Sequence, residues 1–241
     1  MQNSEGAPFS LDAYEHILLD MNGTFVFGFD RFGLDEDFGA TYERRGHASL
    51  AREEAQARVR AAYDYMAVRY IDEAYYHRFP TVAEALRATS DGRVLAQAVV
   101  DELVDTFTQH ELGYLPDTHR EALYRLRENK PLSVLSNLWA PKDQWLDKFA
   151  EWGIADLFDH LHFSSDGAEM KPHPAFFERA LSYIGLSPKR VLYVGDSYRC
   201  DVMGARGVGM DVVWLSGGKE DDPGHATAVA EDLVSLTNSA W

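Results

Sequence analysis

The chain is predicted to fold as an α/β protein: a parallel sheet covered on both faces, interrupted by an all-helical insert. Three observations predict this. From about residue 116 onward, short apolar runs alternate with amphipathic segments at strand and helix lengths. Between residues 35 and 114 the continuous apolar runs vanish, and Ala, Glu, Arg and Gln carry apolar residues at helical spacing. Asp20, Ser136 with Asn137, and Asp196 all fall where an apolar run stops. Parallel strands of one sheet bring their carboxyl ends to one edge, so these residues are expected to converge there although far apart in sequence.

Taken in order, Ile17, Leu18 and Leu19 are too few for an amphipathic helix and suit a buried strand. Asp20 closes it, as either a turn residue or a nucleophile or metal ligand. The stretch Phe25 to Gly33 carries four phenylalanines and reads as a flap over the site rather than an edge hairpin. Helices are expected over Ser49 to Val68, Asp72 to Tyr76, Thr81 to Thr89 and Val94 to His110. Thr81 to Glu84 has the form of a capping box, and Asp91-Gly92 that of a turn. The insert is thus three to five helices, and its Tyr63, Tyr65, Arg69, Tyr70, Tyr75 and Tyr76 read as packing and solvated stripes. Helices then follow over Asp117 to Glu128, Pro141 to Trp152, Pro174 to Ile184 and Val202 to Gly207. Strands are expected over Pro131 to Leu135, His160 to Phe163, Arg190 to Val194 and Asp211 to Leu215. A polar loop spans Gly217 to Gly224, and a last helix starts near Ala226. The core is residues 1–34 and 115–241, the insert residues 35–114.

Composition bounds the function. A hydrophobic content of 46% over 241 residues supports a sizeable core. A formal charge of −16 argues against general nucleic-acid or anionic-membrane binding, which need basic surface. Cys200 is the only cysteine, so neither an intrachain disulfide nor a cysteine zinc cluster is available. No apolar stretch reaches membrane-spanning length, and Met1 to Ser10 lacks the regions of a signal peptide. A soluble cytoplasmic protein is the expectation. His160, His162 and His173 are scattered and read as packed or solvated.

Four motifs in sequence order resemble those of the haloacid dehalogenase superfamily, whose members are mostly Mg²⁺-dependent phosphatases. Asp20-Met-Asn-Gly-Thr24 is similar to the first, Ser136 to the second, Lys171 to the third, and Gly195-Asp196 with Asp201 to the fourth. The resemblance implies a Rossmann-like core with the helical insert as a C1-type cap. It implies that Asp20 attacks phosphorus to form an aspartyl-phosphate. Asp20, Asp196, the main chain of Asn22, and Asp201 (through water or by pairing with Lys171) would hold Mg²⁺. Ser136 would bond a phosphoryl oxygen, and Lys171 would balance charge. Gly23, Thr24 and Asn137 would contact the substrate.

The chain departs from the pattern at Asn22, where family phosphatases usually have an Asp that protonates the leaving group and activates water. An amide does neither, and such catalysis is typically worth ~10²–10⁴-fold. A slow phosphatase of a small phosphate ester, a phosphotransferase and a non-catalytic ligand binder all stay open. So does a metal-free 2-haloacid dehalogenase, although Gly195-Asp196 has the phosphatase form. Deamidation at Asn22-Gly23 would restore the acid. For specificity, Phe25, Phe27, Phe29 and Phe32 of the flap, Arg31, Arg44, Arg45, His47 and Trp139 are the candidates. They suggest an aromatic wall with one or two bases, with Phe27, Arg31 and Arg45 the substrate-binding choices.

Overall fold

The computed structural model describes residues 9–167, 169–218 and 224–239. Six strands form one sheet in the order β3-β2-β1-β4-β5-β6: β1 His16–Leu19, β2 Leu132–Ser136, β3 Phe158–Phe163, β4 Val191–Gly195, β5 Asp211–Leu215 and β6 Ala228–Ala230. All pairs are parallel. The chain steps outward from β1 through β2 to β3, then returns to the other side of β1 with β4. The sheet therefore has a switch point between β1 and β4, where ligands of doubly wound sheets bind.

The inner strands β1, β2, β4 and β5 are largely apolar because both faces are covered, whereas the edge strand β3 carries Asp159, His160 and His162. Ile17, Leu19, Leu132, Val134, Leu192 and Val194 face one layer, with helices α5 Asp117–Asn129, α6 Lys142–Glu151 and α9 Leu233–Ser239 supplying its partners. Leu18, Leu135, Tyr193 and Val212 face the other, beneath α7 Pro174–Ile184 and α8 Met203–Gly207. The alternation follows the two-residue period of a strand. Ile17, Leu18 and Leu19 are fully buried, and such side chains are worth about 1.5–3 kcal/mol each. Helix α7 begins with Pro174 at its first turn and stops at Gly185, whose φ of 74° provides the left-handed cap.

Between β1 and β2 lie α1 Phe38–Arg44, α2 Arg52–Tyr70, α3 Val82–Ala88 and α4 Gln97–Glu111, and no strand of the sheet. They share a separate hydrophobic cluster centred on Phe38, Tyr42, Met66, Leu103 and Phe107. The expected capping box is present: Glu84 N–H donates to Thr81 Oγ1 at 3.2 Å, and Thr81 N–H donates to Glu84 Oε2 at 2.8 Å. The two ends of the helical segment are tied by an antiparallel bridge, with Phe27 and Tyr114 exchanging backbone hydrogen bonds.

Three elements differ from expectation. Residues 73–75 form only a 3₁₀ turn, because one turn cannot support an α-helix. The last helix starts at Leu233, and Ala228–Ala230 instead extends the sheet, a three-residue strand too short to carry a periodic signal. Helix α1 was unforeseen; Asp37 caps it by accepting from Ala40 N–H. The expected loop from Gly217 to Gly224 falls largely on residues 219–223, outside the described residues, as does most of Met1 to Ser10. No helix among the described residues is long and apolar enough to cross a membrane.

Candidate active site

Asp20 follows β1 directly, and its N–H donates to Val194 O of β4 at 2.8 Å, which sets it at the switch point. It is 4% exposed. Its Oδ1 accepts from Ser136 Oγ at 2.9 Å and from Lys171 Nζ at 2.6 Å. Oδ2 receives only a long contact from Thr24 Oγ1 at 3.4 Å, so it is the less engaged oxygen. One oxygen is thus doubly bonded within the chain, and the other carries, among the described residues, the single long contact.

Lys171 is 2% exposed and spends its three protons on Asp20 Oδ1, Asp201 Oδ1 at 2.7 Å and Tyr193 Oη at 3.0 Å. Burial pulls its ammonium down, but the carboxylates of Asp20 and Asp201 outweigh that and hold it well above its ordinary value. Asp201 is fully buried. Its Oδ1 also accepts from Tyr193 Oη at 2.9 Å, and its Oδ2 from Ser197 N–H at 2.8 Å. Burial raises its carboxyl to about 6, with Lys171 opposing. Both Asp201 oxygens are occupied within the chain, which makes it a positioning group for Lys171 and the loop after β4.

Asp196 ends that strand differently. Burial, then Asp20 and Asp201, push it up to about 8, with Lys171 opposing. Ligand oxygens of Asp20, Asp196 and Asp201 lie within 4.8 Å of one another. Three carboxylates against one ammonium leave the site short of positive charge. Asn22 Oδ1 is a buried acceptor with no donor on the same cleft. An oxygen-rich, cation-deficient donor set of this kind fits Mg²⁺. Gly23, at φ 85°, makes room for it: a Cβ there would overlap the Asp196 carboxylate.

The cleft, about 160 Å³, brings together Asp20, Asn22, Ser136, Asn137, Lys171, Asp196 and Asp201 of the expected residues. Asn137 braces Lys171: its Oδ1 accepts from Lys171 N–H at 2.8 Å, and its Nδ2 donates to Lys171 O at 3.0 Å. Cys200 also lines the cleft, but burial pushes its thiol up, away from thiolate chemistry.

The expected substrate-binding side chains Phe27, Arg31 and Arg45 do not line this cleft. Phe27 packs edge-on against His119 at 4.8 Å. Arg31 donates to the carbonyls of Gly28 and Leu112 at 2.9 Å and to that of Gln109. Arg45 forms a bidentate pair with Asp105 at 2.8 and 2.9 Å, which also engages His47 at 2.7 Å. Arg44 donates to Thr41 Oγ1. Unmet carbonyls and a nearby carboxylate recruit these bases, and sequence alone does not reveal such partners. Nor do the phenylalanines form one wall. Phe25 stacks on Phe158 in the core, Phe32 on Tyr63 in the helical cluster, and Phe29 alone reaches the cleft.

Sequence reasoning missed four residues here. Tyr193 has a signal of sorts, a single hydroxyl in an apolar strand that must find a partner. Asp30, the one acid within the aromatic stretch, lines the cleft from a left-handed backbone position, φ 54°. Tyr70, read as packing, also lines it. Glu111 ends α4 with nothing in the sequence to mark it, yet it is 2% exposed and accepts the N–H groups of Trp139 and Ala140.

Sheet order and site together define a doubly wound α/β protein with a buried carboxylate–lysine centre at its switch point. The family model of haloacid dehalogenase-like hydrolases matches residues 14–209, and the chain belongs to that family. It is 33% identical over 100 residues to a glyceraldehyde 3-phosphate phosphatase of Pyrococcus furiosus, covering 42% of this chain and 41% of that relative. It thus spans about two fifths of that protein and of its Pyrococcus abyssi counterpart. A phosphoserine phosphatase of Thermus thermophilus is 28% identical over 208 residues, covering 78% of this chain and 83% of the relative. Among solved structures, a 2-haloacid dehalogenase from Pseudomonas syringae pv. Tomato aligns with TM-score 0.67 and 20% identity over 94% of this chain and 97% of that one. A phosphatase from Thermococcus onnurineus aligns with TM-score 0.60 and 21% identity over 93% and 96%. At these identities the structures establish the fold.

Proposed function

We propose that the protein is a Mg²⁺-dependent phosphatase of a small phosphate ester, acting through an aspartyl-phosphate on Asp20. The observation that carries this reading is the asymmetric fixing of Asp20, on a cleft it shares with Asp196: Ser136 and Lys171 hold Oδ1, while Oδ2 has only the long contact with Thr24 among the described residues. The likeness to relatives named phosphatases supports it. The cation, held by Asp20, Asp196 and the oxygens of residue 22, would screen the charge of an incoming phosphate and polarise it.

Asp20 Oδ2 attacks phosphorus, the ester P–O bond breaks, and the alcohol leaves. Ser136 Oγ turns from Asp20 to a phosphoryl oxygen, and Lys171 neutralises charge building on the group. Water then forms a new P–O bond as the Asp20 O–P bond breaks, releasing phosphate and the carboxylate. Asn22 takes no proton in either step, so the leaving alkoxide and the attacking water exchange protons with solvent. Both steps slow, and esters with good leaving groups are favoured. The same feature favours a second reading: an aspartyl-phosphate that hydrolyses slowly persists long enough to pass its phosphoryl group to an acceptor alcohol.

The test is hydrolysis of an aryl phosphate with Mg²⁺ and with EDTA, by wild type, Asn22→Asp and Asp20→Ala. Metal-dependent turnover, raised roughly 10²-fold or more by Asn22→Asp and abolished by Asp20→Ala, is expected. No turnover in wild type or Asn22→Asp refutes the phosphatase reading. Halide release from a 2-haloacid without metal would replace it with dehalogenation.

A further inference from the structure

A second cavity of about 230 Å³ adjoins the cleft. Its walls include the rings of Tyr63, Tyr70 and Trp139, the Asn137 amide and the carboxyl groups of Asp30 and Glu111. Asp30, Tyr70 and Asn137 line both spaces, so an ester with its phosphorus at Asp20 has this cavity open to its alcohol portion. The rings are a built wall rather than loose side chains: Trp139 lies 5.7 Å from Tyr63 and 5.6 Å from Tyr70, centroid to centroid. Glu111 fixes the backbone at Trp139 in turn, by accepting its main-chain N–H at 2.7 Å.

The chemistry of the lining is one-sided. Among the described residues no lysine or arginine lines it. Arg60 lies 5.4 Å from the Tyr63 ring and Arg199 5.8 Å from that of Tyr70, but Arg60 donates to the carbonyls of Phe32 and Gly33, and Arg199 to the Tyr76 hydroxyl. Among the described residues neither Asp30 nor Glu111 has an ion-pair partner. Burial raises Asp30 to about 6, and burial followed by the Asp30 carboxylate raises Glu111 to about 8. A bound cation would lower both. Aromatic faces carry negative electrostatic potential, so rings and carboxylates attract the same charge. A carboxylate in the ligand would meet two acids and no base, which disfavours phosphoserine. A neutral polyol would bond the acids but lack the electrostatic attraction that the ring faces offer a cation.

We propose that this cavity receives a small alkylammonium group, making the substrate a phosphate monoester of an amino alcohol. The assignment rests on the phosphatase reading for its phosphoryl end, and the ammonium end is tested separately.

The experiment is calorimetric binding to the Asp20→Asn variant with Mg²⁺. The probes are phosphocholine, its uncharged carbon isostere 3,3-dimethylbutyl phosphate, glycerol phosphate, phosphoserine and inorganic phosphate. Phosphocholine is expected to bind at least tenfold more tightly than the isostere and than phosphoserine, and Asp30→Asn and Trp139→Leu each to shrink that ratio severalfold. Equal or tighter binding of the isostere, or a ratio untouched by both substitutions, overturns the proposal; Mg²⁺-dependent aryl phosphate turnover by wild type then still upholds the phosphatase reading. Failure of every ester and of inorganic phosphate to bind, with no turnover, sinks both. Tightest binding of glycerol phosphate would make the acids hydroxyl acceptors and overturn the ammonium assignment alone.

Discussion

Lys171→Met tests whether the buried ion network is what holds the site together. The side chain keeps its length and loses its charge. Asp20 and Asp201, 4% and 0% exposed, would then face each other without their ammonium. Removing one partner of a buried pair costs about 3–5 kcal/mol. Here Asp201 keeps Tyr193 Oη and Ser197 N–H, and Asp20 keeps Ser136 Oγ. The loss at pH 8 should therefore sit near the lower end, about 3 kcal/mol, or a fall in Tm of about 6–12 °C.

The pH dependence has a definite sign. Lys171 lies above its ordinary value when folded, so its contribution is complete below that value and constant between pH 5 and 8. The carboxyls set the slope. Asp201, already raised to about 6, rises further without Lys171, and a group raised on folding contributes stability below its unfolded value and loses it as pH climbs through the folded one. The penalty of Lys171→Met is thus largest near pH 8 and shrinks toward pH 5. Urea unfolding in EDTA at both values measures it. A loss under about 1 kcal/mol at pH 8, or equal losses at the two pH values, would refute the reasoning.

Gly23→Ala should lower Mg²⁺ affinity and turnover more than tenfold, because the added methyl displaces Asp196 and a φ of 85° strains any L side chain; isothermal titration with Mg²⁺ reads the first and aryl phosphate hydrolysis the second. Gly23 N–H donates to Val26 O at 2.9 Å, which holds it from attacking the Asn22 side chain. Peptide mass spectrometry of active protein should accordingly find Asn at 22, and a predominance of Asp or isoaspartate would contradict this. Thr81→Ala should cost about 1 kcal/mol in urea unfolding by removing the Oγ1 acceptor of the Glu84 N–H, while the backbone N–H of residue 81 still donates to Glu84.

The sheet was readable in the sequence because every strand buried on both faces must be apolar, and the polar residue ending such a run stands out. Asp20, Ser136 and Asp196 were found on that ground. Lys171 was not marked by any periodicity; it became visible only through its place in the family's motif order. The helical segment was readable as helix, but not the use made of its side chains. Tyr63 and Tyr70 sit among other tyrosines of the same spacing, and only the fold separates those facing a cavity from those packed beneath it. The misplaced bases teach the same lesson in reverse. Arg31 and Arg45 lie close in sequence to the candidate site, but each is drawn to a local acceptor that sequence distance hides.

The electrostatics of the cleft bear on whether Asn22 marks a lost activity. Burial, then Asp20 and Asp201, push Asp196 up to about 8, so its ionised form costs the bare fold stability at neutral pH. Replacing it with Asn would remove that cost, and stabilising substitutions of this kind are readily accessible. A chain that only needed the fold would have nothing to hold Asp196, Asp201 and Lys171 in a buried, mutually dependent arrangement. A chain that places a cation beside Asp20 does, since the cation turns the same carboxylate from a liability into a ligand. Asn22 differs in kind, because an amide there lacks the acid–base function of a carboxyl but leaves Asp20, Asp196, Asp201 and Lys171 in place. On the phosphatase reading proposed above, Asn22 would therefore slow proton transfer while preserving the apparatus for attack on phosphorus, and on that reading an enzyme tuned in rate or acceptor accounts for the site better than a ligand-binding remnant.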